Sequence, residues 1–149
     1  MGWRWDRTSS FNSSFSPLRI YMKKTGKLIL VVDDDPNLRL LLAIHLEKAG
    51  FQTIEASNGV KALQLLQDHK PDLVPDLIVT DAVMPRLDGH GLIREVRSEP
   101  AFSRIPLILL TGNDGGQAVG NAFRPDAYQK KPFVFSDLLA KVETLLSKA

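Results

Sequence analysis

The sequence predicts an α/β fold, a doubly wound five-stranded parallel sheet with helices on both faces, filling most of a 149-residue chain. Three observations carry that prediction. Short apolar runs rich in β-branched residues, Leu28–Val32, Leu77–Thr80 and Pro106–Leu110, are bounded by turn residues and read as buried strands. Segments with apolar residues at helical spacing alternate with these runs, and such alternation builds a parallel sheet covered on both sides. The strand-like runs also stop at polar groups of different kinds: an acid cluster at Asp33-Asp34-Asp35, a single acid at Asp81, a hydroxyl at Thr111 and a cation at Lys131.

The elements follow in order. Residues 1–26 carry a Ser-rich stretch, Thr8 to Pro17, with no helical or strand period, and are expected to be a disordered basic extension. Met22-Lys23-Lys24-Thr25-Gly26 looks like a natural start just before the first strand, which would make the residues upstream an over-long gene start. A single domain is expected over residues 27–149. Lys27 to Val32 makes strand one; Asp35 then caps a helix whose first turn accepts Pro36, because a proline there lacks only an N–H that has no partner anyway. Leu38, Leu41, Leu42, His45 and Ala49 are expected to form its inward stripe, with Gly50 ending it and His45 acting as a packing residue rather than a ligand.

Phe51–Ala56 is a less apolar strand, suited to an edge, and Asn58 opens a second helix with Val60, Leu63 and Leu66 inward to about His69. Pro-Asp-Leu occurs twice, at Pro71 and at Pro75, which predicts a rigid surface loop before the central strand. Asp88-Gly89 turns the chain into a short helix with Leu92, Ile93 and Val96 inward; Ile105–Leu110 is strand four. Gly115, Gly116 and Gly120 each cost about 1 kcal/mol of helix propensity, so any helix between Gly112 and Asn121 should be short or frayed. Ala127–Lys130 is the last strand, and Phe135, Leu138, Val142 and Leu145 stripe a final helix with Ser136 as its expected cap and Asp137 in its first turn.

Composition narrows the function. An apolar content of 44% and a charged content of 24% are ordinary for a soluble globular domain. No cysteine is present, which removes disulfide, zinc-thiolate and thiol chemistry and fits a reducing cytoplasm. No apolar run approaches the ~18 residues that suggest a membrane span, so no membrane insertion is expected. Six cations against Asp6 give residues 1–27 a charge of +5, leaving −3 for the rest of a chain whose net charge is +2. The globular part is mildly acidic, and direct nucleic-acid binding by it is not expected.

Two parallel strands ending in acids at one edge bring three or four carboxylates together. Such a group repels itself unless a hard cation sits within it, and oxygen donors with few fixed partners suit magnesium. In open α/β sheets, sites lie at the carboxyl ends of the strands.

Taken together, Val31-Val32-Asp33-Asp34-Asp35-Pro36, Asp81-Ala82-Val83-Met84-Pro85 with Asp88-Gly89, Thr111-Gly112 and Lys131-Pro132-Phe133 resemble the receiver domain of two-component response regulators, the CheY-like family. The resemblance spans Lys27 to Lys148. It implies a flavodoxin-like strand order 2-1-3-4-5, Asp81 as phosphoacceptor, and Mg²⁺ held by Asp34, Asp81 and the backbone carbonyl of Val83, with Asp33 orienting the metal through water. It further implies that Thr111 bonds the phosphoryl group, that Tyr128 is the aromatic that turns inward in response, that Lys131 supplies a positive charge, and that Lys131-Pro132 is a cis peptide. The implied donor is a histidine kinase or histidine phosphotransfer protein, with a downstream protein as target; the domain would catalyse only its own phosphorylation and dephosphorylation. Because the chain stops one helix after Lys131, a stand-alone receiver is expected. Val83 and Asn113 occupy positions that tune phosphoaspartate hydrolysis in that family, and apolar Val83 cannot hold an attacking water.

Three other readings compete. Asp33-x-Asp35 after a strand imitates the nucleophile motif of haloacid-dehalogenase-type phosphatases, although Pro36-Asn37 stands where Gly-Thr is expected. A pseudo-receiver that is never phosphorylated rests only on the glycine-rich segment after Thr111. Flavin binding would need a phosphate-cradling Ser/Thr/Gly loop after strand one, where three acids stand instead.

Overall fold

A computed structural model describes residues 26–69, 74–112 and 123–148. The strands are β1 (Leu28–Val32), β2 (Gln52–Ala56), β3 (Leu77–Asp81), β4 (Leu107–Thr111) and β5 (Ala127–Lys130); the helices are α1 (Pro36–Lys48), α2 (Gly59–His69), α3 (Gly89–Ser98) and α4 (Phe135–Ser147). All strand pairs are parallel, in the order β2-β1-β3-β4-β5 that the resemblance implied. The expected extension, the glycine-rich segment from Asn113 to Asn121 and the first Pro-Asp-Leu copy lie outside the described residues.

β3 and β4 are buried at every position, which explains their unbroken apolar sequence: a strand covered on both faces has no solvent side to alternate with. One face of the sheet presents Leu30, Val32, Ile78, Leu107 and Leu109 to Ala62 and Leu66 of α2 and Leu92, Ile93 and Val96 of α3. The other presents Ile29, Val31, Leu77, Val79, Ile108 and Leu110 to Leu42 and Leu46 of α1 and Leu138 and Val142 of α4.

At the amino ends of the strands, one device is used twice. Asp76, just before β3, donates its backbone N–H to the Leu28 carbonyl at 2.7 Å, and its Oδ2 accepts from the Leu28 N–H at 2.7 Å. Asp126, just before β5, does the same with Leu107, at 2.8 Å for both bonds. Each clasp fixes the register of a strand pair at its first residue. The second copy of Pro-Asp-Leu, not the first, supplies the aspartate before β3. Arg97 of α3 adds a 2.7 Å ion pair to Asp126 and a 2.7 Å bond to the Ile105 carbonyl.

Asp35 caps α1 as expected, accepting from Asn37 N–H at 2.9 Å; Asn58, expected to open the next helix, accepts from Lys61 N–H at 2.9 Å, and Asp88, expected only as part of a turn, caps α3 by accepting from Gly91 N–H at 2.8 Å. Gly50 ends α1 with a φ of 102°, in the left-handed region that favours glycine. Ser136 is not a cap. α4 starts two residues earlier, with Val134 at the cap position and no side-chain cap bond, because Phe135 already packs in helical conformation against His45, ring centres 4.8 Å apart. The α1 stripe also differs from expectation: Leu42, Ala43 and Leu46 are buried, whereas Leu41 is 51% exposed and Ala49 faces solvent. With Leu40 to Ile44 all apolar, the period could not choose a face. His45 does pack, half-buried, with Nδ1 2.9 Å from the Leu41 carbonyl.

Gly89 sits where any side chain would meet backbone: a Cβ there would overlap the Asp81 carbonyl oxygen and the Leu109 side chain. Its N–H donates to the Ala82 carbonyl at 2.9 Å, which ties the start of α3 to the end of β3. Gly89→Ala is expected to destabilise the domain by about 1–3 kcal/mol, measured by urea denaturation, because the nearest neighbour, the Asp81 carbonyl, is backbone that cannot step aside.

Candidate functional site

The register that aligns the strand ends decides what meets at the carboxyl edge. Val32 lies opposite Thr80, Asp81 opposite Leu110 and Thr111 opposite Lys130, so the residues just past β1, at the ends of β3 and β4, and just past β5 converge. Asp33, Asp34 and Asp81 each offer a carboxylate oxygen, and these atoms lie within 4.8 Å of one another. Lys131 Nζ reaches Asp81 Oδ1 at 2.8 Å and stands 4.0 Å from Asp33 Oδ2. Asp81 Oδ1 also accepts from the Ala82 N–H at 3.0 Å, so two donors orient that carboxylate.

The three acids are not equivalent. Asp34 is exposed, Asp81 is nearly buried, and Asp33 is only 1% exposed. Asp33 Oδ1 accepts from the Asp35 N–H at 2.9 Å, while Oδ2 is buried with no hydrogen-bond partner. Burial raises the Asp33 pKa from 3.8 to about 6; the Asp35 N–H bond opposes this, the Asp81 charge adds to it, and Lys131 works against it. Three carboxylates facing one ammonium, with a buried oxygen lacking a donor, form an all-oxygen set with surplus negative charge. That set fits a hard divalent cation such as Mg²⁺, and it offers no nitrogen or sulfur to a softer metal.

Thr111 is buried at the tip of β4, and its carbonyl accepts from the Lys131 N–H at 2.7 Å, which holds the hydroxyl residue beside the lysine. Lys131-Pro132 is cis, as expected. Val83 is 76% exposed at the mouth of the site, two residues past Asp81 and next to the buried Met84. Tyr128 is half-buried on the α2–α3 side of the sheet, packed against that core alongside Phe123. Asn113 lies outside the described residues. Asp35, the second acid of the phosphatase-like pair, is exposed and occupied in capping α1, so Asp33-x-Asp35 is not organised as a nucleophile and its acid.

A model of the response regulator receiver domain matches residues 29–143. The chain belongs to that family. A probable transcriptional regulator, ycf27, of Cyanophora paradoxa is 37% identical over 130 residues, 85% of this chain and 51% of the relative. The phosphate regulon transcriptional regulatory protein PhoB of Pseudomonas aeruginosa is 34% identical over 83% of this chain and 53% of its own length. The receiver domain thus spans about half the length of the curated relatives it matches. Among solved structures, the response regulator TrrA of Thermotoga maritima in complex with Mg(2+)-BeF superposes with a TM-score of 0.71 at 34% identity, covering 80% of this chain and 98% of that one. The signal receiver domain of a histidine kinase from Syntrophus aciditrophicus gives a TM-score of 0.72 at 32% identity, covering 83% of this chain and 92% of that one.

Two contributors to the receiver site were not recognised from sequence. In the sequence Gly89 signals only a turn. Arg39, four residues past Asp35, reaches back to the Asp33 carbonyl at 2.7 Å and to Glu55 at 3.1 Å. A cation one turn into the helix that follows an acid cluster is the signal that could have found it.

Burying Asp33 sets a pH dependence. Its folded pKa lies above the unfolded value, so its contribution to stability is fully present below about pH 4 and is lost as pH rises through about 6. In metal-free solution Asp33→Asn is expected to remove that slope and to stabilise the domain by about 1–3 kcal/mol at pH 7 to 8. Urea denaturation of both proteins across this range, with chelator present, measures it.

Proposed function

We propose that this receiver domain is a phosphoacceptor: Asp81 takes a phosphoryl group from a phosphohistidine of a histidine kinase or phosphotransfer protein, and the domain reports that charge to a protein partner. The observation that carries the reading is the pairing of Asp81 with Lys131 at 2.8 Å beside an unpartnered, buried oxygen of Asp33. Asp34, Asp81, Asp33 and the Val83 carbonyl are the groups that would hold Mg²⁺. Bound there, Mg²⁺ would offset negative charge on the acids and on the transferred group. A relative held with Mg(2+)-BeF supports a site built for a divalent cation beside an anion.

This chain's residues divide the remaining work. The Ala82 N–H and Lys131 Nζ orient the Asp81 carboxylate, whose oxygen bonds to phosphorus as the phosphorus–nitrogen bond of the donor breaks and the imidazole leaves. Lys131 then faces the new phosphoryl oxygens, and the Thr111 hydroxyl donates to one of them, drawing in the loop after β4. Tyr128, on the neighbouring strand, follows by turning inward, so a covalent charge biases a two-state surface. The domain acts on no separate substrate and catalyses only the gain and loss of its own phosphate.

A donor protein finds an apolar surface next to this chemistry. A groove of about 690 Å³ is lined by Leu38, Leu42, His45, Phe133 and Phe135 and reaches Lys131; Leu41 and Val134 stand exposed around it. We assign DNA contact, which the names of the longer relatives suggest, to no part of this mildly acidic domain. No described helix is long and apolar enough to cross a membrane, and a cytoplasmic site suits the proposed donors.

Incubation with acetyl phosphate and Mg²⁺, followed by intact-mass measurement, is expected to add one phosphoryl group to the wild type and none to Asp81→Asn. Equal labelling of both proteins would refute the assignment. Val83 offers no hydrogen bond to an attacking water, so the phosphorylated form should persist for minutes or longer after the donor is removed; loss within seconds would contradict that role.

A further inference from the structure

Asp33 is held at every polar atom except one. Its N–H donates to the Ala56 carbonyl of β2 at 3.2 Å, and its Oδ1 takes the Asp35 N–H. Its carbonyl takes Nη1 of Arg39 at 2.7 Å, leaving Oδ2 alone within the acid cluster. Arg39 lies one turn into α1, where its own N–H bonds the Asp35 carbonyl at 2.9 Å and its Nε pairs with Glu55 Oε1 at 3.1 Å. The guanidinium therefore joins three elements: the acidic tip after β1, the first turn of α1 and the end of β2. Arg39 is a half-buried cation just past the acid cluster in sequence, yet among the described residues its side-chain bonds go to the Asp33 carbonyl and to Glu55, not to the carboxylates of Asp33, Asp34 or Asp81. The pairing with Glu55 engages the guanidinium with an acid outside the cluster, and an arginine bonded to the cluster acids would compete with a metal for them.

We propose that Arg39, anchored by Glu55, is a positioning residue for the divalent-cation site: it fixes the peptide between Asp33 and Asp34 and so aims both carboxylates at Asp81. The inference rests on the reading of that cluster as a Mg²⁺ site. Partners one step removed from a metal typically change its affinity by 10–100-fold when they are lost, because they set the ligand geometry. A planar fork spanning two acceptors is also not replaced by the single point charge of a lysine.

The test is Mg²⁺ binding by isothermal titration calorimetry on the full chain, with no phosphodonor present. Arg39→Gln is expected to weaken Mg²⁺ about tenfold, Arg39→Lys less, and Glu55→Gln in the same direction. With acetyl phosphate, the Arg39 variants should need correspondingly more Mg²⁺ for half-maximal labelling, while the rate at saturating Mg²⁺ stays within about twofold of the wild type. Thr53→Ala is the control. It removes a 2.6 Å bond from Thr53 to Glu47, which also ties β2 to α1 but lies away from the acids, so it should lower stability and leave Mg²⁺ affinity unchanged. If wild type binds Mg²⁺ and the Arg39 and Glu55 variants bind it equally well, or if Thr53→Ala weakens it as much, the positioning role is wrong although the metal site stands. If the wild type binds no Mg²⁺, both readings fall. Should Arg39→Gln not fold, Arg39→Lys and Glu55→Gln carry the comparison.

Discussion

Burying a carboxylate oxygen with nothing to donate to it is the constraint around which this domain is arranged. The Asp33 oxygen is buried without a hydrogen-bond donor, and the parallel register places two more acids and a lysine beside it. A protein that had only to be stable would fill such a position with an apolar residue or give the oxygen a donor. Holding the acids together without full compensation keeps a place where added positive charge, and then an added anion, changes the energy of the whole edge. The fold supplies rigidity where that matters: β3 and β4, which carry Asp81 and Thr111, are buried along their full length.

The two edges of the sheet are built differently. The amino edge is saturated, with Asp76 and Asp126 each closing two bonds onto a neighbouring strand and Arg97 bonding both Asp126 and carbonyls of the α3–β4 connection. At the carboxyl edge, backbone bonds such as Lys131 N–H to the Thr111 carbonyl hold the frame, while side chains carry the imbalance. A change at that edge can alter side chains without shifting strand register, since register is fixed at the opposite end.

Much of this was legible in the sequence, for identifiable reasons. Continuous apolar runs at Leu28–Val32 and Leu77–Thr80, short and rich in β-branched residues, read as buried strands, and each runs directly into a polar residue whose type does not suit burial. That mismatch between location and chemistry marks Asp33 and Asp81, and Thr111 after Leu107–Leu110 likewise, whereas Lys131 follows a polar strand and is marked only by its place in the ordered set. The face of α1 was not legible, because Leu40, Leu41, Leu42, Ala43 and Ile44 are all apolar and no polar stripe marks the outside. Ser136 looked like a cap because hydroxyls cap helices, but the packing of Phe135 against His45 set the helix start instead. Arg39 and Glu55 were invisible for another reason: they are 16 residues apart, and only the β1–β2 pairing brings the strand end under the helix.

The clasp at Asp76 has an outcome for how such a chain can change over time. Because one side chain and its own amide reset the alignment of β3 against Leu28, the chain arriving at Asp76 need not have any particular length. The sequence repeats Pro-Asp-Leu just upstream, and the sheet uses only the later copy. A duplication of a few residues there leaves the carboxyl edge where it was, so this connection can lengthen or shorten while the acids stay in place.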